Sequence, residues 1–288
     1  MMAASFGDRL AAEFAAGRHL CAGIDPHAGL LDAWGAGDDV AGAERMGREV
    51  VAAAAGVAAC VKPQIAFFER FGSAGFAALE RVLADARAAG LMVIADVKRG
   101  DIGSSFGAYA DTWLAPGSPL EADAMTVVAY QGFGTLAGAL DYAAGDGKGL
   151  FVLAATSNPE AADVQRARRA DGRTVAAAMV DDAAEWNRAH GTASVGSVGV
   201  VLGATLDLAA FEIDVAEQPA GSALPVLAPG FGHQGARIED ARRIFGGIGR
   251  ALLANESRSI LAGGSAGLAD RIRERADAVR VALGSEAA

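Results

Sequence analysis

Leu91-Met92-Val93-Ile94-Ala95-Asp96-Val97-Lys98 is a run of apolar, partly β-branched residues that turns charged only at its end. A run of this kind reads as a strand buried on both faces, as in parallel sheets covered by helices. Shorter runs of similar character recur at residues 19–25, 57–62, 124–128, 150–155, 197–202, 225–228 and 251–254. Helical patterns lie between them. Over residues 73–89, Phe76, Leu79, Leu83 and Ala86 share one face, with Ser73 as a candidate N-cap and Gly90 as the stop. Residues 265–283 turn Leu268, Ile272, Val279 and Leu283 inward, behind a candidate cap at Ser265 and ahead of Gly284. Residues 51–55 are alanine-rich and suit a closely packed helix. Alternating strands and helices predict an α/β protein, and eight such units predict a closed (β/α)8 TIM barrel rather than an open doubly wound sheet.

Phe6, Leu10 and Phe14 recur at helical spacing and predict a capping helix at about residues 4–16, ahead of the barrel. No compositional break divides residues 1–288, which read as one domain. Residues 145–147 and 218–222 read as loops, and residues 166–173 as an exposed loop before a helix starting near Thr174. The net charge of −10 argues against nonspecific attraction to nucleic acid or to an anionic membrane. Asp8, Arg9 and Glu13 interrupt any secretory apolar run, and no stretch reaches the ~18 apolar residues of a membrane span. Cys21 and Cys60 form no CxxC pair and no zinc spacing, and read as reduced thiols near strand ends in a cytoplasmic protein.

Polar residues gather where the strands finish: Asp25, Lys62, Asp96 with Lys98, then Ser157, Gln234 and Arg258 just beyond later strands. A barrel brings its C-terminal strand ends together on one face, where catalytic groups reside. Residues two apart on a strand share a face, so Asp96 and Lys98 project together, and Asp101 follows after a turn at Arg99-Gly100. Acids flanking a lysine hold it protonated, each contact being worth roughly 4 kcal/mol at ~4 Å and an effective dielectric of ~20. Such a lysine is a poor Schiff-base nucleophile and a good fixed cation and proton donor. A structural ion-pair network at the barrel rim is the plainer reading of the same residues. Lys62, aimed at the same acids, makes an alternating Lys–Asp–Lys–Asp array plausible, and such an array is costly to keep for stability alone.

The loop Ala228-Pro229-Gly230-Phe231-Gly232 and Arg258 follow the seventh and eighth strands, where barrels often bind phosphate, although glycines of this kind also mark simple turns. Asp25-Pro26 suits sugar hydroxyls or a plain turn, and Ser157-Asn158-Pro159 suits a base edge or a turn start. His27 and His233 lie near this face with no metal-ligand spacing and read as exposed loop residues.

The segment Asp96-Val97-Lys98-Arg99-Gly100-Asp101-Ile102-Gly103 resembles the signature of orotidine 5′-phosphate decarboxylases in the form found in one bacterial subgroup. Gly23-Ile24-Asp25-Pro26, Val61-Lys62-Pro63-Gln64, Ala155-Thr156-Ser157-Asn158-Pro159, residues 228–235 and Ser257-Arg258-Ser259-Ile260 follow in that family's order along nearly the whole chain. The resemblance implies decarboxylation of orotidine 5′-monophosphate to UMP, with no metal and no cofactor. It implies Lys98 as proton donor to C6, Asp96 beside the substrate carboxylate, Lys62 orienting Asp96, and Asp25 on the ribose. It also implies Ser157 on the pyrimidine, and Pro229, Gln234 and Arg258 about the phosphate. Asp101, Ile102 and Ser105 resemble a segment inserted into the partner's site, which implies a homodimer with shared active sites. One departure is Ser257, where many members of that family carry glycine.

Two other readings compete. A magnesium-dependent phosphosugar enzyme of the same barrel superfamily would want an acid near the second strand, where Lys62 stands and would repel the metal. A noncatalytic phosphate-binding barrel would keep Gly230 and Arg258 but would have no need of the charged array.

Overall fold

The computed structural model describes residues 4–191, 194–216 and 223–284. Eight parallel strands close on one another in sequence order: β1 Leu20–Ile24, β2 Cys60–Pro63, β3 Met92–Arg99, β4 Ala124–Val127, β5 Gly149–Ala155, β6 Val198–Leu202, β7 Val226–Pro229 and β8 Leu252–Glu256. The ring is completed by β8 pairing with β1, Cys21 opposite Asn255 and Ala22 opposite Glu256. Each expected strand is present, displaced by at most a few residues at its ends. The loop expected at residues 218–222 lies outside the described residues.

Strand parity separates two apolar regions. Val93, Ala95 and Val97 of β3 join the core beneath the helices, while Met92 and Ile94 point into the bore. The bore is filled from the N-terminal side by the helix Phe6–Ala15, whose Phe6 meets Phe151 edge-on with centroids 6.0 Å apart. Gly149 makes room for it, since a Cβ there would stand 2.4 Å from the Phe6 ring. Ser5 caps this helix with a capping box to Asp8. Apolar packing therefore closes one end of the bore and leaves polar residues to the other.

The helix starts expected at Ser73 and Ser265 are corrected. The helices run Gly72–Ala88 and Leu268–Leu283, with Phe71 and Gly267 at the cap positions and no side-chain cap bond. Gly267 adopts φ 68°, so backbone geometry rather than a hydroxyl starts the last helix. Thr174 does cap the helix Val175–His190, accepting from the Ala177 amide. Cys21 and Cys60 are buried, free, and opposite one another across β1 and β2. The neighbouring Cys21 thiol, as a hydrogen-bonding group, and burial push the Cys60 thiol well up, a state of low reactivity. Among the described residues, no helix is long and apolar enough to cross a membrane.

Candidate active site

The inward parity that buries Met92 and Ile94 carries on to Asp96 and Lys98 at the C-terminal end of β3. Asp96, 7% exposed, is held on both sides. Lys62 Nζ on β2 donates to its Oδ2 at 2.6 Å, and Lys98 Nζ donates to its Oδ1 at 2.6 Å. The Thr126 hydroxyl on β4 donates to the same Oδ1 at 2.8 Å. Burial opposes the Asp96 carboxylate, but Lys62 and Lys98 outweigh it and hold its pKa well below the usual carboxylate range. Burial likewise opposes the Lys62 ammonium, and the Asp96 and Asp25 carboxylates overcome it and hold Lys62 above the ordinary lysine range. Both groups stay charged across physiological pH.

Lys98 takes φ 47°, a left-handed conformation uncommon outside glycine. It sits where the β3–β4 register slips between Ala95 and Arg99. Its amide, turned out of the ladder, donates instead to the Thr126 hydroxyl at 3.0 Å. The slip lets a strand end deliver an ammonium into the bore mouth, a common use of bulges next to active sites. With its amide oriented to satisfy both ends, Gln64 donates to the Asp96 carbonyl oxygen at 2.8 Å and accepts from Lys98 Nζ at 3.1 Å.

These groups open on a cavity of about 240 Å³ that Asp25, Pro229, Gln234 and Arg258 also line. Asp25 Oδ1 is buried with no hydrogen-bond partner, an unmet acceptor beside Lys62 and Asp96. Gly230, Phe231 and His233 complete the loop after β7. His233 is exposed, as expected of a loop histidine, and faces this space. His27 instead caps the helix Ala28–Ala33, accepting from the Leu30 amide at 3.3 Å. Among the described residues, no group of three or more His, Cys, Asp or Glu side chains is arranged to hold a metal ion.

Several expected site residues do not meet this cavity. The four-member array becomes, within one chain, a three-member one: Lys62, Asp96 and Lys98. Asp101 lies beyond the turn and accepts from the Ile102 amide at 2.8 Å, where it prepares the start of the helix Gly103–Leu114. Ile102 is 59% exposed, and Ser105 is exposed on the same helix. After β5 it is Thr156, not Ser157, that lines the cavity. Thr156 is held by Gln165, whose side chain accepts from the Thr156 amide and donates to its hydroxyl, each at 2.9 Å. Thr126 and Asn255, interior lining residues, went unnoticed in the sequence. Thr126 reads there as one more β-branched strand residue, and only its register opposite β3 exposes its role.

Ser257 turns its side chain into a notch left by Gly23. A Cβ on Gly23 would stand 1.8 Å from Ser257 Oγ and 2.8 Å from Ser257 Cβ. The two positions therefore fit as a pair. Gly23→Ala is expected to cost about 1–3 kcal/mol from overpacking, and Gly23→Ala with Ser257→Gly to recover most of it. Urea unfolding reads this directly, and a single variant as stable as the wild type would contradict the pairing.

The comparisons with known proteins agree with one another. The sequence profile of the orotidine 5′-phosphate decarboxylase / HUMPS family matches residues 18–267. An orotidine 5′-phosphate decarboxylase from Salinispora tropica is 50% identical over 273 residues, 93% of this chain and 95% of that protein. One from a Nocardioides species is 53% identical over 260 residues, 89% of this chain and 91% of that protein. A crystal structure of a candidate orotidine 5′-phosphate decarboxylase from Streptomyces avermitilis superposes with a TM-score of 0.91 at 47% identity, covering 99% of this chain and 98% of the other. The Leishmania donovani OMP decarboxylase structure superposes with a TM-score of 0.73 at 30% identity, covering 96% of this chain and 99% of that one. With a closed eight-strand barrel, a charged triad at its mouth and relatives matched along almost their whole length, this chain belongs to the orotidine 5′-phosphate decarboxylase / HUMPS family of enzymes.

Proposed function

We propose that this chain decarboxylates orotidine 5′-monophosphate to UMP and carbon dioxide in pyrimidine biosynthesis, with Lys98 donating the proton to C6. The observation that carries the reading is Asp96, buried between two ammoniums at 2.6 Å each on the floor of a cavity rimmed by Gln234 and Arg258. The bond from C6 to the carboxylate breaks, carbon dioxide departs, and the electron pair stays on C6. The pair then takes a proton from Lys98 Nζ, and the neutral amine recovers one from water. The carbanion has no conjugated sink, so a fixed cation where the charge develops stabilises the transition state more than the substrate. Asp96 serves two purposes in this scheme. It aims both lysines, and it faces the substrate carboxylate with a like charge.

The required stabilisation lies near the upper end of the known range, about 23 kcal/mol. One lysine does not supply that. In this reading Arg258 and Gln234 grip the phosphate, Pro229 borders it, Asp25 offers its unpaired oxygen to a ribose hydroxyl, and Thr156, which lines the cavity where Ser157 does not, faces the pyrimidine. Binding at the phosphate then contributes by orienting the distant ring. Asp101, Ile102 and Ser105 enter the site of a second copy, making a cytoplasmic homodimer. Ile102 at 59% and Tyr130 at 82% exposure, both beside the β3 and β4 ends, support an apolar surface that a partner covers.

The test follows orotidine 5′-monophosphate by ultraviolet absorbance in the presence of EDTA. Conversion to UMP at a rate unaffected by the chelator is expected. No turnover by the folded dimer would refute the assignment, and turnover of phosphosugars that EDTA abolishes would favour the magnesium-dependent alternative.

A further inference from the structure

Side chains of β8 alternate as a strand requires. Leu253 points into the bore, while Leu252 and Ala254 join the core beneath the helices. The same parity sends Asn255 and Ser257 inward, where both line the cavity, and sends Glu256 toward the helices. Other strands place alanine, valine, leucine, isoleucine or methionine in that layer. The Glu256 side chain is 0% exposed, and a carboxylate so placed is costly unless fully paired.

It is fully paired. Arg275, from the helix Leu268–Leu283, donates to it bidentately, Nε to Oε2 at 2.9 Å and Nη2 to Oε1 at 2.8 Å. Ser259 Oγ, one residue past Arg258, donates to Oε2 at 2.6 Å. The loop after β7 rests on the same cluster. A Cβ on Gly232 would stand 3.0 Å from Ser259 Cβ and 3.4 Å from Glu256 Oε2. One buried carboxylate thus ties together three pieces: the strand end between two cavity-lining residues, the turn that carries Arg258, and the back of the loop that carries Gln234. Arg275 neutralises it, so it presents no net negative charge behind a site for an anion.

We propose that Glu256, clamped by Arg275 and Ser259, is a positioning residue that sets the spacing between Arg258 and the Gln234 loop to fit a phosphate dianion. A bidentate arginine–carboxylate pair fixes orientation as well as distance, which an apolar contact would not do. The proposal rests on the reading that the substrate phosphate lies between Arg258 and Gln234.

The experiment compares the affinities of UMP and uridine, which differ only by the phosphate, in Glu256→Gln, Ser259→Ala and Arg258→Ala proteins. Losing hydrogen bonds to a buried charge, Glu256→Gln is expected to weaken UMP about 10–100-fold. Ser259→Ala, which keeps the ion pair and hence the fold, is expected to weaken UMP about 5-fold for one lost bond. Uridine affinity is expected to hold in both, and turnover to suffer through KM more than through kcat. If Glu256→Gln does not fold, Ser259→Ala decides. Equal losses for UMP and uridine, or no loss, would overturn the positioning role. If Arg258→Ala alone loses UMP selectively, only that role fails. Should Arg258→Ala leave UMP affinity intact, the phosphate reading fails and the proposal with it.

Discussion

Lys98→Ala is expected to fold and to lose turnover by about 10⁴-fold or more. Two contributions combine: loss of a positioned general acid, about 10²–10⁴-fold, and loss of a fixed charge at the developing carbanion, about 10²–10³-fold. Stability is expected to change little. The side chain is 42% exposed, so its ion pair with Asp96 is partly screened by water. Asp96 also keeps its other two partners, Lys62 and Thr126. The assay is the ultraviolet conversion of orotidine 5′-monophosphate, run beside a thermal melt. A folded Lys98→Ala protein within about tenfold of wild type would remove Lys98 from the role of acid, since general-acid catalysis alone contributes more than that.

Asp96→Asn is expected to damage activity and stability together. It leaves Lys62, 5% exposed, without its nearest counter-charge. Breaking a buried pair by removing one partner costs about 3–5 kcal/mol, because the remaining charge is stranded. Replacing both members, Asp96→Asn with Lys62→Met, is expected to regain much of that stability while activity stays lost. Such a dissociation identifies the charges as functional, not structural. Urea unfolding and the decarboxylation assay measure the two halves, and an Asp96→Asn protein as stable as wild type would contradict the buried-pair account.

The pH dependence follows from the direction of the Asp96 shift. Its folded pKa lies below its unfolded value of about 3.9. Its stabilising contribution is therefore present above pH ~4 and is lost as pH falls through the folded pKa. Lys62 is shifted upward, so its contribution is present below its unfolded value of about 10.4 and is lost as pH rises through the folded pKa. Between these limits neither group titrates, and Asp96→Asn should abolish the acid-side loss that this carboxylate causes.

Most of the architecture was legible because buried parallel strands leave an unambiguous mark: continuous apolar runs such as residues 91–95, cut off where the chain reaches the barrel mouth. Parity then placed Asp96 and Lys98 on one face, as found. Other features were invisible for identifiable reasons. Ser73 and Ser265 have the composition of caps, but helix starts depend on backbone angles that a residue name does not fix. Thr126 turns inward by ordinary parity, but nothing in a β-branched run shows that its hydroxyl meets Asp96 and the Lys98 amide beside the β3–β4 register slip. The fit of Ser257 against Gly23 spans two strands that are far apart in the chain. The place of Asp101 was not legible, because its carboxylate accepts from the Ile102 amide at the next helix start, a local bond that strand parity does not foretell. Glu256 lies just past the run read as the eighth strand, and its paired arginine lies 19 positions away.

The left-handed backbone at Lys98 has a consequence for anyone who engineers this protein. A non-glycine residue in that conformation carries a cost of order 1–3 kcal/mol, and glycine would adopt it freely. A library selected for heat resistance alone should therefore drift toward glycine at position 98 and discard the reactive amine. Selection for thermal tolerance and selection for turnover pull in opposite directions at this one residue, and a stabilisation campaign should hold it constant.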